Sequence, residues 1–138
     1  MNLYDLFENQ QSIKWVIPKS CRRSIDSGSE VVVWIDPRKL DPEWKRDTGF
    51  YVGPNGSNNS IGDRYQRFGE WLKQGLAVEM PEVGFGYNDI PVFTNGRHRY
   101  AWMRDHGVTA IPIVTDLSRS KEFQEIFGTS SRKTILSL

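Results

Sequence analysis

The sequence has a single cysteine, Cys21, in 138 residues. One thiol cannot form an internal disulfide and cannot build a cysteine-rich zinc site. Long apolar runs are also missing, because the longest, residues 31–35, has only strand length and a bilayer span needs about 18 residues. The first residues lack a basic stretch followed by an apolar block, so no signal peptide is expected. These absences together favour a cytoplasmic protein.

An excess of one charge is absent too. Lysine and arginine number 18 and aspartate and glutamate number 17, which gives a net charge of +1. The chain as a whole is therefore not expected to attract nucleic acid, and any site for a polyanion must be a local cluster. The hydrophobic content of 38% and the charged content of 25% are those of a globular protein, and the length suits one domain.

Hydrophobic spacing predicts strands and short helices in irregular alternation. We expect a compact single-domain α+β fold over residues 1–138, with a small mixed sheet and a core at about residues 30–128. Residues 20–29 and 47–62 are predicted loops, residues 1–12 an N-terminal helix, and residues 129–138 a frayed tail. The predicted strands are 13–17, 30–35, 83–85, 90–94 and 110–114, and the other predicted helices begin at Pro37 or cover 63–74, 97–106 and 118–127.

The most informative stretch is the junction at Asn95 and Gly96, where a predicted strand leads directly into a helix. The first turn of that helix carries Arg97, His98 and Arg99, three groups that are cationic or can become so at the positive end of the helix dipole. No carboxylate stands three or four positions further on to compensate them. The pattern predicts an anion, preferably a phosphate, bound by backbone N–H groups, two guanidiniums and an imidazole.

The competing interpretation is purely structural. In it, Arg97 and Arg99 pair with distant acids such as Asp36 or Glu79, and His98 is a hydrogen-bonded imidazole without a functional role. The sequence leaves both interpretations open.

Three further cations are candidates for a nucleic-acid groove. Arg64 and Arg67 are three residues apart on one edge of a predicted helix, and Lys39 follows a predicted strand. A solvated helix face is the alternative for the first two, and exposed charge is the alternative for the third. The acidic residues are scattered without a recognisable ligand spacing, so no metal-binding residues are predicted.

The stretch Asn-Gly-Arg-His-Arg-Tyr-Ala resembles two known motifs. One is the Gly-x-x-Arg-x-x-Ala box of ParB-type proteins, and the other is the Gly-Cys-His-Arg box of sulfiredoxin. These families share an α+β fold in which the box binds nucleotide phosphates. Four segments in order resemble the plasmid fertility-inhibition factors of the Osa and FiwA type, namely residues 32–37, 50–54, 61–68 and 96–102.

The resemblance implies roles for individual residues. Gly96, His98 and Arg99 fall on the glycine, histidine and arginine of the sulfiredoxin box, so the resemblance implies a phosphate-binding role for these three. Together with the cationic helix start, the predicted phosphate site comprises Asn95, Gly96, Arg97, His98 and Arg99. Arg97 takes the place of the catalytic cysteine of sulfiredoxin, which excludes sulfinic-acid repair. His98 and Arg99 become candidate catalytic residues, because the ordinary pKa of an imidazole lies near neutrality.

The resemblance also implies a function. Fertility-inhibition factors of this fold block conjugative DNA export through a type IV secretion system, and Osa-like members are associated with ATPase and DNase activity. It implies single-stranded transfer DNA and the coupling ATPase of the secretion system as partners, with ATP or another nucleotide as cofactor. Independently of the resemblance, the scattered acidic residues leave a divalent metal open as a second cofactor. Two alternatives stay open: a non-enzymatic inhibitor that docks on the coupling protein, and a ParB-like nucleotide switch or nuclease with another role, such as a toxin or a phage protein.

Overall fold

The computed structural model describes residues 10–137, and the side chains of residues 13–136. The strands are β1 (Gln10–Ser12), β2 (Trp15–Val16), β3 (Glu30–Ile35), β4 (Val78–Glu79), β5 (Glu82–Phe85), β6 (Pro91–Asn95), β7 (Ile111–Asp116) and β8 (Ile135–Ser137). The α-helices are α1 (Arg22–Ser27), α2 (Pro37–Trp44), α3 (Arg64–Lys73), α4 (Arg97–Asp105) and α5 (Leu117–Phe127). Single 3-10 turns occupy Lys19–Cys21, Pro54–Gly56 and Tyr87–Asp89.

A four-stranded sheet in the order β3-β7-β5-β6 organises the fold. Strand β7 is antiparallel to β3 and parallel to β5, and β5 is antiparallel to β6. The first five residues of β7 are buried, which explains why its sequence is a continuous apolar run rather than an alternating one. The mixed sheet confirms the predicted α+β class.

An aromatic cluster fixes the start of α4 at the end of β6. Trp44 packs on Phe93 of β6, with ring centroids 4.5 Å apart, and Tyr100 of α4 lies 4.9 Å from Phe93. Tyr100, Ala101 and Met103 are fully buried. The first turn of α4 therefore has a fixed position relative to the sheet.

The ends of the described chain differ from the prediction. A frayed tail was predicted over residues 129–138, but β8 pairs antiparallel with β1 and Leu136 is fully buried, so the prediction was wrong for residues 135–137. Residues 10–12 form a strand and not the end of a helix, while residues 1–9 lie outside the described residues. Both errors have one cause: the two segments order each other across more than 120 positions, which a local pattern cannot reveal.

Two smaller predictions also fail. The segment 20–29 contains helix α1, which ends at Gly28 with a φ of 82° and is polar because it lies on the surface. The strand predicted over 13–17 is reduced to β2, which pairs in parallel with β4. Within the described residues, none of the helices is both long enough and apolar enough to span a membrane.

Candidate anion-binding site

The turn between β6 and α4 requires glycine. Gly96 has φ 88° and ψ 14°, in the left-handed region. A Cβ atom there would lie 2.9 Å from Cα of Pro81 and 2.8 Å from Nη2 of Arg99. The guanidinium of Arg99 thus folds back towards the turn. Because Gly96 has no side chain, its backbone is accessible to a ligand.

A cavity of about 470 Å³ opens at this turn. Helix α3 contributes Arg64 and Arg67 to its wall, and the first turn of α4 contributes Arg97 and Arg99. Glu79 is the one carboxylate residue in the lining. The structure therefore brings the predicted phosphate site at residues 95–99 together with Arg64 and Arg67, which lie some 30 positions earlier in the sequence. The remaining lining residues are Phe68, Trp71, Ala77, Val78, Phe93, Thr94, Asn95, Gly96 and His98.

Arg97 is held by backbone and aromatic contacts and not by an ion pair. Its Nη2 donates to the carbonyl oxygen of Asn59 at 3.3 Å, and its guanidinium lies 5.5 Å from the ring centroid of Phe50. Its Nε is buried without a hydrogen-bond partner among the described residues. Burial raises the pKa of Asp47, an effect that the charge of Arg97 partly offsets, yet no carboxylate of the described residues lies within 4.0 Å of Arg97. The cation is thus only partly compensated.

Arg99 has still fewer partners. Its Nε and Nη2 are buried and make no hydrogen bond with the described residues. Burial lowers the pKa of this guanidinium, and the charges of Glu79 and Glu82 offset part of that effect from a distance. An arginine remains protonated in such a setting, so Arg99 brings a poorly compensated positive charge to the cavity.

The acids of the structural interpretation are engaged elsewhere. Asp36 accepts from the backbone of Arg38 as the cap of α2 and pairs with its guanidinium at 2.6 Å. Glu79 accepts from the backbone N–H of Lys19 at 3.3 Å, and Glu82 accepts from the thiol of Cys21 at 3.1 Å. The ion pairs expected from the competing interpretation of Arg97 and Arg99 are therefore absent from the described part of the chain.

His98 is a neutral, buried imidazole. Its Nε2 accepts a hydrogen bond from the backbone N–H of Ile61 at 3.0 Å, which places the ring proton on Nδ1. Burial, followed by the charges of Arg97, Arg64 and Arg99, lowers the pKa of His98 to about 4. This pKa differs from the near-neutral value on which the candidate acid–base role of His98 rested, and that role stays a prediction. In this structure His98 holds the loop that precedes α3.

The low pKa of His98 predicts a pH-dependent stability. Between its unfolded pKa of 6.5 and its folded pKa of about 4, the unfolded chain binds a proton that the folded chain does not. The free energy of unfolding should therefore fall by about 2 kcal/mol between about pH 7 and pH 5, from this residue alone. Urea unfolding of the wild type and of His98→Gln, which keeps an acceptor for Ile61, isolates the effect. Parallel pH profiles for the two proteins would contradict the assignment.

Lys39 lies outside the site. Its Nζ donates to the carbonyl oxygen of Gly128 at 2.7 Å, so it connects α2 to the end of α5. The prediction that it belongs to a groove with Arg64 and Arg67 was wrong, because the strand that precedes it runs to another part of the sheet.

The loop over residues 47–62 is fixed by hydrogen bonds. The side-chain amide of Asn59 donates to the carbonyl oxygens of Thr48 and Tyr51, and Asp105 accepts from the backbone N–H of Asn55 at 2.9 Å. Together with the contacts of His98 and Arg97, these bonds attach the loop to α4.

Metal ligands do not converge in the described residues. No group of three or more histidine, cysteine, aspartate or glutamate side chains between residues 13 and 136 is placed to hold a metal ion. The divalent metal cofactor stays a prediction.

Comparisons with known proteins were decisive at the level of the fold. No protein-family profile matches the sequence, and no curated protein sequence matches it. The fold resembles that of a plasmid fertility inhibition factor. This solved structure is the Oncogenic Suppression Activity protein, determined as a gold(I) cyanide derivative, with a TM-score of 0.55 and 16% sequence identity.

The match covers 79% of this chain, and the chain spans 61% of that protein. At this level of identity the likeness concerns the fold. It confirms the fold that the resemblance of the four sequence segments had implied.

Proposed function

We propose that the cavity between α3 and α4 binds the phosphates of a nucleotide or a nucleic acid, and that the protein acts as a plasmid fertility-inhibition factor. One observation carries the proposal. Four arginines line one cavity with a single glutamate, and three of the four, Arg64, Arg97 and Arg99, make no ion pair within the described residues. Buried cations without partners are costly to a folded protein, so an anion that fills the cavity would be bound strongly.

The chemistry of the donors favours phosphate over a simple carboxylate. Guanidinium groups present paired N–H donors that match phosphate oxygens, and the free backbone N–H groups at the start of α4 add to them. Arg64 and Arg67 approach from one helix and Arg97 and Arg99 from another. Two separated pairs suit a ligand with more than one phosphate.

The biological role rests on the fold. The similar structure is described as a plasmid fertility inhibition factor, which supports a role in limiting conjugative transfer. We propose that the transferred DNA strand or ATP occupies the cavity, and that the protein acts in the cytoplasm of the plasmid's host. Docking on the coupling ATPase of the secretion system is the alternative partner.

Binding is proposed as the primary function of the cavity. His98 is neutral at physiological pH, and its Nε2 already accepts from Ile61, so it is not assigned a catalytic step. A DNase or ATPase activity is a separate proposal for this cavity. Cleavage of labelled single-stranded DNA and hydrolysis of ATP, each measured with and without Mg²⁺ on the purified wild-type protein, test for such an activity.

The double variant Arg97→Ala plus Arg99→Ala should bind a fluorescent oligothymidylate at least about tenfold more weakly than the wild type. The slope of log affinity against log salt should also become shallower, by about 0.7 for each phosphate that is no longer neutralised by an arginine. Fluorescence anisotropy at several salt concentrations measures both quantities, and ATP is titrated in parallel.

The matched control is Arg22→Ala plus Arg23→Ala on α1, which removes the same charge from exposed positions outside the cavity. It should change the affinity less than twofold. Because Arg99 is largely buried, Arg64→Ala plus Arg67→Ala serves as a second cavity variant at exposed positions. Equal affinity of all four proteins would refute the site. The variants are also tested for inhibition of conjugation in cells. If both cavity variants inhibit as fully as the wild type, the inhibitory surface is a docking interface outside the cavity.

A further inference from the structure

Trp71 stands apart from the other tryptophans. Its side chain is 47% exposed, whereas Trp44 and Trp102 are buried and Trp15 and Trp34 are half-buried. It takes part in none of the aromatic pairs found among the described residues. It lines the arginine cavity. A large indole is thus presented at the mouth of a cationic site, without a partner from the described part of the protein.

The position of Trp71 on α3 aligns it with two of the arginines. Arg64, Arg67 and Trp71 stand at helical positions i, i+3 and i+7, and at 100° per residue they fall within an arc of roughly 60°. Trp71 lies about 6 Å beyond Arg67 along the helix axis. One face of a single helix therefore offers two guanidiniums followed by an aromatic surface.

A ligand that contacts both the arginines and the tryptophan of this face needs phosphates and a flat aromatic ring in one molecule. Nucleotides have both, and bases stack on aromatic side chains in proteins that bind single strands. A phosphotyrosine peptide also has both, but it brings one phosphate, whereas the cavity has two pairs of arginines on two helices. The observations therefore favour a nucleotide.

We propose that Trp71 is a base-stacking residue, and that it contacts the base of the nucleotide whose phosphates bind the arginines. This inference rests on the proposed function, because it assumes that the cavity is the ligand site. It adds a specific claim: the ligand is recognised by its base as well as by its phosphates. The nucleotide is either free or a unit of a single strand.

The test compares ligands with and without bases. Wild type, Trp71→Ala and Trp71→Phe are titrated with oligothymidylate, with an abasic oligonucleotide of the same length and with ATP. Tyr87→Ala is the control, because Tyr87 is an aromatic residue with 86% exposure that does not line the cavity. Trp71→Ala should weaken oligothymidylate binding about tenfold and abasic binding less than twofold. Trp71→Phe should recover part of the loss, and Tyr87→Ala should behave as the wild type.

The ATP arm identifies the source of the base. A loss for ATP that matches the loss for oligothymidylate indicates a free nucleotide, and a loss for oligothymidylate alone indicates a strand; both support stacking. Equal losses for the normal and the abasic oligonucleotide, or no loss at all, would overturn the inference and leave the arginine site intact. Stronger competition by a phosphotyrosine peptide than by oligothymidylate would overturn it in favour of a peptide. If the proposed function itself is wrong, the wild type binds none of the phosphate ligands, and this result differs from every outcome that concerns Trp71 alone.

Discussion

Replacing Arg104 with methionine should lower the free energy of unfolding by about 3 to 5 kcal/mol. Arg104 lies at the end of α4, and its side chain is only 10% exposed. Its Nη1 donates to Asp41 at 2.9 Å and to the carbonyl oxygen of Val52 at 2.7 Å, and its Nε donates to Asp105 at 3.0 Å. Methionine fills much of the same volume but leaves two carboxylates without their counter-charge.

The two carboxylates depend on this arginine. Burial alone would raise the pKa of Asp105, but hydrogen bonds from Arg104 and from the hydroxyl of Tyr65 outweigh it and lower the pKa. Asp41 accepts from the hydroxyl of Tyr51 at 3.0 Å. Removal of the guanidinium therefore affects α2, the 47–62 loop and α4 together.

Arg46→Met is the matched control. Arg46 pairs with Glu43 at 2.8 Å, so the two ion pairs have almost the same length. Both side chains of that pair are about half exposed, and an exposed pair stabilises a protein by less than about 1 kcal/mol. Urea unfolding of both variants at neutral pH measures the difference. Similar losses would mean that burial does not set the strength of the Arg104 network.

The second large effect is expected at Gly96. Gly96→Ala should destabilise the protein by about 3 to 4 kcal/mol and should also abolish phosphate binding. A side chain at φ 88° is strained, and its Cβ would overlap the backbone of Pro81, which cannot move out of the way as a flexible side chain would. It would also displace the guanidinium of Arg99 from its place over the turn.

Gly107→Ala is the control that separates backbone strain at a positive φ from steric overlap of the added Cβ. Gly107 ends α4 with a φ of 77°, but a Cβ there would meet nothing within 4 Å. This variant should lose only about 1 kcal/mol and should bind phosphate as the wild type does. Thermal unfolding and oligothymidylate titration of both variants give the two readouts. A Gly96→Ala protein as stable as Gly107→Ala would show that the turn relaxes away from Pro81.

The comparison of sequence with structure is clearest at α4. Local pattern predicted the strand, the turn at Gly96 and a helix whose first turn carries Arg97, His98 and Arg99, and all of these are present. The lowered pKa of His98 was missed, because its largest cause is burial, and because one of the arginines that add to it, Arg64, lies on α3. The ordinary pKa of a residue follows from its side-chain type, but its pKa in the folded protein also depends on burial and on neighbouring charges.

The buried arginine network was also missed as a structural element. At 100° per residue Arg104 falls within the arc of the buried Tyr100, Ala101 and Met103, and this spacing is the one signal that the sequence offers. Its partners Asp41 and Val52 come from segments more than 50 positions away. Pairing over such distances depends on how the elements pack, and no periodicity within one helix reports it.

By itself, the sequence determined the α+β class, the glycine turn and the cationic start of α4, since each follows from residues that are neighbours along the chain. Only the tertiary structure decided that Arg64 and Arg67 face this turn while Lys39 does not, that Trp71 stays exposed beside them, and that residues 135–137 form a strand. These features arise from burial and from contacts through space. Burial sets which charges lose their water and which acids come close enough to compensate them.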